Sequence, residues 1–155
     1  MRPVSNAARD EYPGQTATPA QLCSLADEYR LAAKALAPLG RSGDPRSRSP
    51  FRLVALQAIE LYLNAALIHY GHDAVLIRGL QHDMAKRAEL VAAGLRLRRR
   101  TAGHLVQLGK RREYLLARYD PSSGTLLSEV NRVTATLDEV ARKVATLLNQ
   151  VRPSA

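Results

Sequence analysis

At 155 residues with a net charge of +9, the chain has the length of one domain with a single core. Apolar residues make up 46% and aromatics 5%, with no Trp and with Leu and Ala dominant, which points to helices packed on helices and away from a sheet sandwich. A single cysteine, Cys23, excludes an intramolecular disulfide and a cysteine-based zinc cluster and fits a reducing, cytoplasmic setting; no run of about 18 apolar residues suggests a membrane span, and the segment behind Met1 lacks the apolar core of a signal peptide.

Residues 1–17 are polar, carry Pro3, Pro13 and Gly14, show no periodicity and read as a flexible N-terminal tail; the folded bundle is expected over residues 18–152. Thr18-Pro19 supplies an N-cap and a first-turn proline. A helix is predicted from there to Leu39, with Leu22, Leu25, Ala26, Tyr29, Ala32, Ala33 and Leu36 at helical spacing and Gly40 as its stop. A basic loop rich in Ser, Gly and Pro follows, and Ser49-Pro50 repeats the cap-plus-proline signal. The second helix, from about Phe51 to Tyr70, is apolar on most sides, the mark of a bundle's central helix. The third is interrupted: Ala74 to Arg78 is a turn or two, then Gly79, then Leu80 to Ala93 ending at Gly94. A fourth helix is predicted from a Thr101 cap through Arg118, before a turn at residues 119–124. The last, about Thr125 to Val151, places Leu126, Val130, Val133, Leu137, Val140, Val144, Leu147 and Val151 on a narrow seam, read as the stripe that packs on its own bundle. The expected architecture is all-α, a single up-and-down bundle of four to five helices.

Charge is segregated along this pattern. Residues 78–118 carry eleven Lys/Arg against three Asp/Glu, residues 41–52 add about three more positive charges, and both ends of the chain are neutral by the same count. Such a local basic field attracts polyanions. Its candidate nucleic-acid contacts are Arg96, Arg98, Arg99, Arg100, Lys110, Arg111 and Arg112, with Tyr114 and Tyr119 among them. Glu60 is the one carboxylate in the second helix and needs a partner or water; His82 is the expected partner, making a structural polar pair. His69, His72 and Asp73 lack a fourth ligand, so no metal is expected, and no cofactor motif is present: no phosphate-binding Gly-Lys-Ser/Thr loop, dinucleotide fingerprint or nucleophile elbow.

Two segments carry a resemblance. Ala58-Ile59-Glu60-Leu61-Tyr62-Leu63-Asn64-Ala65, followed by Gly79-Leu80-Gln81-His82-Asp83-Met84, resembles the HEPN family of small helical bundles over roughly residues 20 to 120. The resemblance implies a HEPN-like bundle whose His-Asp pair opens a helix beside Glu60, and a capacity to homodimerise. It also implies a choice of activities, because the family holds ribonucleases and non-catalytic members. The ribonucleases share an Arg-x(4–6)-His motif in which His moves protons and Arg stabilises phosphate charge. Here Arg99-Arg100-Thr101-Ala102-Gly103-His104 has that spacing, making Arg99 and His104 the candidate catalytic pair. Active members usually carry Asn, Asp or His after the Arg, whereas this chain has Arg100. The expectation is therefore a non-catalytic or degenerate HEPN-like module that binds RNA, another polyanion or a nucleotide-associated partner through residues 78–118. The alternatives are a metal-independent endoribonuclease of the toxin or phage-defence kind acting as a homodimer, and the protein-interaction half of a toxin–antitoxin-like pair.

Overall fold

The computed structural model describes residues 11–122 and 127–150, and everything stated of the fold concerns these. They form seven α-helices and no strand: α1 (Pro19–Leu36), α2 (Ser49–His69), α3 (Ala74–Leu80), α4 (Met84–Leu95), α5 (Arg99–Lys110), α6 (Glu113–Tyr119) and α7 (Val130–Asn149). The expected tail falls largely on residues 1–10, which lie outside the described residues; residues 11–17 form a turn that sets the Tyr12 ring under the Arg78 guanidinium, 4.3 Å from the ring centre.

α2 is the axis of the bundle. Ala55, Ala58, Ile59, Tyr62, Leu63, Ala65, Ala66 and Leu67 are fully enclosed, because α1, α4, α6 and α7 all pack on it. The segment Pro45–His69 holds an 18-residue stretch long and apolar enough to cross a membrane, at a mean hydropathy of 1.4, yet 72% of that stretch is buried by its own bundle. A core helix meets the same composition test as a membrane span. The α7 seam also turns inward: Val133, Leu137, Val140 and Val144 are buried against the bundle, while Leu126 and Val151 fall outside the described residues.

The helix count exceeds the expected four to five because two expected helices are each cut in two. α3 and α4 part at Gln81, whose backbone sits at φ 50°, ψ −121°; α5 and α6 part at Arg112, at φ 52°, ψ 44°. Positive φ is uncommon for residues with a Cβ; the first break lies two residues past the expected interruption at Gly79, and the second carries no glycine or proline at the turning residue. Gly40 and Gly71 follow helix ends as expected, whereas Gly94 lies inside α4 and, like Gly109, serves close approach. A Cβ at Gly94 would lie 2.6 Å from the Tyr70 hydroxyl, and one at Gly109 would lie 2.6 Å from the Ala85 backbone nitrogen, so α4 and α5 meet backbone to backbone. Helix starts are corrected in two places. Arg48, not Ser49, is the N-cap of α2, and Thr101 lies inside α5 rather than capping it. At α1 the Thr18 cap forms with Gln21 as a reciprocal capping box.

Candidate functional site

Three groups of polar residues stand out in the described part of the chain. The first lies where α2 meets the α3–α4 link. Glu60 points from α2 toward His82, whose Nδ1 is 3.1 Å from Oε2 and 3.2 Å from Oε1. A carboxylate can only accept, so Nδ1 holds the proton and donates it, leaving Nε2 directed away from Glu60. The structure thus brings the expected Glu60 and His82 together. It adds Arg87, only 1% exposed, whose guanidinium lies 3.2 Å from Glu60 Oε1, donates through Nε to Asn64 Oδ1 at 2.8 Å and reaches the Asp83 carbonyl at 3.3 Å. Burial pulls the Arg87 pKa down, and the charges of Glu60 and Asp83 oppose that pull. Tyr114 of α6 covers the other side of His82, ring centres 4.6 Å apart. This cluster forms the polar floor of an apolar-walled cleft of about 560 Å³, with Arg78 at its rim.

The second group surrounds the expected Arg99 and His104, which do not share a site. His104 is 5% exposed, its Nδ1 2.6 Å from the Thr136 hydroxyl under α7, and its Nε2 has no partner among the described residues. Burial, with Arg132 and Arg111 adding to it, pulls its pKa down to about 4. Arg99 is exposed at the first turn of α5, on the outer face. An imidazole held neutral and closed off by α7 is a packed core group, poorly placed to exchange protons with a bound strand.

The third group is the basic surface. The seven candidate contacts resolve into two clusters, one at each end of α5: Arg96, Arg98, Arg99 and Arg100 at its start, Lys110, Arg111 and Arg112 at its finish. All seven are exposed, and Arg98 alone takes part in an ion pair, 3.9 Å from Glu139. Arg99 and Lys110 fall on the same side of α5, eleven residues and roughly 17 Å apart. Between them Ala102, Gly103 and Val106 leave a shallow groove beside α4. Three arginines at a helix start oppose the helix dipole. Glu139 of α7 offsets this: its carboxylate accepts from the Arg98 amide and the Thr101 hydroxyl, each at 2.8 Å, and pairs with Lys143 at 3.0 Å. Burial alone would raise the Glu139 pKa, yet these donors hold it below its usual value.

Comparison with family models, with curated proteins and with solved structures finds no match to this chain. The site is therefore read from its own geometry. Among the described residues no group of three His, Cys, Asp or Glu is placed to hold a metal ion, and His69, His72 and Asp73 do not converge. Tyr114 is taken up by His82, while Tyr119 stands 74% exposed beside Arg118 rather than packing under the following turn. Sequence reasoning missed Arg87 and Asn64. The signal was present for Arg87, since Met84, Arg87, Ala88, Val91 and Leu95 lie on one helical stripe and four of the five are apolar. A charged residue on such a stripe needs a buried partner, and Glu60 was the one available.

Proposed function

We propose that this chain is a HEPN-like, non-catalytic module of the cytoplasm that binds single-stranded nucleic acid along the outer face of α5. The observation that carries this reading is the set of exposed basic residues at the two ends of α5, six of whose seven members have no ion-pair partner among the described residues. Elsewhere Arg30 and Arg87 are matched to carboxylates; here the charge is left for something outside the chain. The distance between the clusters corresponds to about five stacked nucleotides at 3.4 Å each. The groove between them is walled largely by Ala, Gly and Val side chains, with Asp83, Lys86 and Glu89 along its α4 side, so the strand is held at its Arg and Lys ends through phosphates. Tyr119, exposed beyond the distal cluster, is placed to stack a base.

Fluorescence anisotropy with a labelled single-stranded RNA of about 12 nucleotides tests this, with chloride varied from about 50 to 300 mM. Affinity is expected to fall steeply with salt, with a slope near −0.7 per phosphate contacted. Replacing Arg98, Arg99 and Arg100 together by Gln should flatten that slope by about 2. Binding that stays equally tight across the salt range would sink the proposal. RNA incubated with the protein in EDTA is expected to remain intact, and cleavage lost in His104→Ala would overturn the non-catalytic part.

A further inference from the structure

A separate pocket of about 380 Å³ lies between the loop before α2 and the start of α7, and shares no lining residue with the α5 surface. Arg41, Asp44, Arg48 and Arg52 line it from one side, and residues 127–131, Glu129 among them, from the other. Arg52 is 8% exposed and has no carboxylate within ion-pair distance among the described residues. One of its terminal nitrogens donates to the Ser128 carbonyl, while its Nε is buried without any partner there. A buried guanidinium lacking a counter-charge is costly. Two further features worsen that cost. Arg48 and Arg52 stand four residues apart on one side of α2, a repulsive spacing, and both sit at the positive end of a 21-residue helix. Opposite them, α7 begins at Val130 with no side-chain cap, and Val130 and Asn131, whose first-turn amides have no intrahelical acceptor, line the same pocket. Nearby acidic groups answer this charge only in part: Asp44 is engaged by Arg41 at 3.2 Å and Arg46 at 3.6 Å, Glu113 is bound to Ser128 and acts on Arg52 from beyond ion-pair distance, and Glu129 is exposed on the pocket wall.

We propose that this pocket binds a phosphate-class oxyanion, held by Arg48, Arg52 and the first amides of α7. Guanidinium donors from one wall and helix amides from the other approach from different directions. A tetrahedral dianion satisfies such a set better than a planar carboxylate with two oxygens. The pocket is larger than a bare phosphate, leaving room for the organic part of a small monoester. The site is independent of the α5 surface, so either reading stands or falls without the other.

Calorimetric titration of the full chain with inorganic phosphate, phenyl phosphate and acetate, at matched ionic strength in chloride, tests the assignment. Phosphate is expected to bind saturably, acetate at least tenfold more weakly, and thermal stability to rise in phosphate over chloride. Arg48→Gln, which is only partly buried, should weaken phosphate binding by about tenfold, and Arg52→Gln by at least as much if it folds. Arg99→Gln should leave it unchanged. Tighter binding of phenyl phosphate than of phosphate would assign the pocket to a monoester, and equal binding to the free ion. Identical behaviour in phosphate and chloride, or phosphate affinity that survives Arg48→Gln, or is lost in Arg99→Gln, would overturn the proposal.

Discussion

His104 shows how burial reassigns a residue that spacing alone marked for chemistry. Its pKa of about 4 lies below its ordinary 6.5, chiefly because the folded site withholds water from the charged ring. Between those two values the unfolded chain takes up a proton that the folded chain refuses. The stability tied to this residue is therefore full above pH 6.5, falls as pH drops toward 4 by on the order of 3 kcal/mol, and then levels off. Urea denaturation of the protein and of His104→Gln at several pH values checks this: the stability difference between them should shift in favour of the variant as pH is lowered through the window. A difference that stays constant would mean that His104 is not desolvated in solution. Glu60 was legible as a carboxylate in need of a donor because it stands alone in an apolar helix, and the HEPN resemblance pointed to His82. Arg87 was equally demanded by the same logic, but its identity depended on which stripe of α4 turned inward.

Helices α4 and α5 approach closely because Gly109 lacks a Cβ. A Cβ at Gly109 would press on the backbone of Ala85, which cannot yield without moving α4, whereas one at Gly103 meets nothing within 4 Å. The two positions share a helix and a residue type, so propensity alone makes them equivalent. Gly103→Ala should stabilise the fold by up to about 1 kcal/mol through helix propensity. Gly109→Ala should cost about 1–3 kcal/mol by forcing the helices apart. Chemical denaturation of both variants reads the contrast directly, and equal effects would contradict the close packing described. At this scale, five helices were readable from periodicity and caps. The break between α3 and α4 was expected at Gly79 and falls two residues later at Gln81; the break between α5 and α6 was not readable, because Arg112 is a residue whose intrinsic preference favours continued helix, yet it sits at positive φ.

Across the whole molecule the excess charge is concentrated at the ends of α5 and around the start of α2, while α1 and α7 share a cross-helix ion pair, Arg30 with Asp138 at 2.8 Å. Like charges gathered in this way repel one another in the folded state. Raising chloride from about 0.01 to 0.15 M shortens the screening length from about 30 to 8 Å, which should raise the melting temperature by several degrees. A fall in melting temperature over that range would mean that attractive pairs outweigh the repulsion. Differential scanning calorimetry in a non-phosphate buffer makes the measurement without occupying the proposed anion pocket.

Composition, periodicity and capping were enough to determine that this chain is all-α, that α2 is its central helix and that α7 turns its seam inward, because the burial of an apolar stripe is a local property of sequence. The need of Glu60 for a donor was a property of its apolar helix, and the HEPN resemblance is what pointed to His82 as that donor. Tertiary structure alone decided that His104 would be closed off beneath Thr136, and that Arg52 would be buried with no carboxylate within ion-pair distance beside the uncapped start of α7. Each of these depends on where a distant helix lands, and charge spacing along the chain carries no record of that.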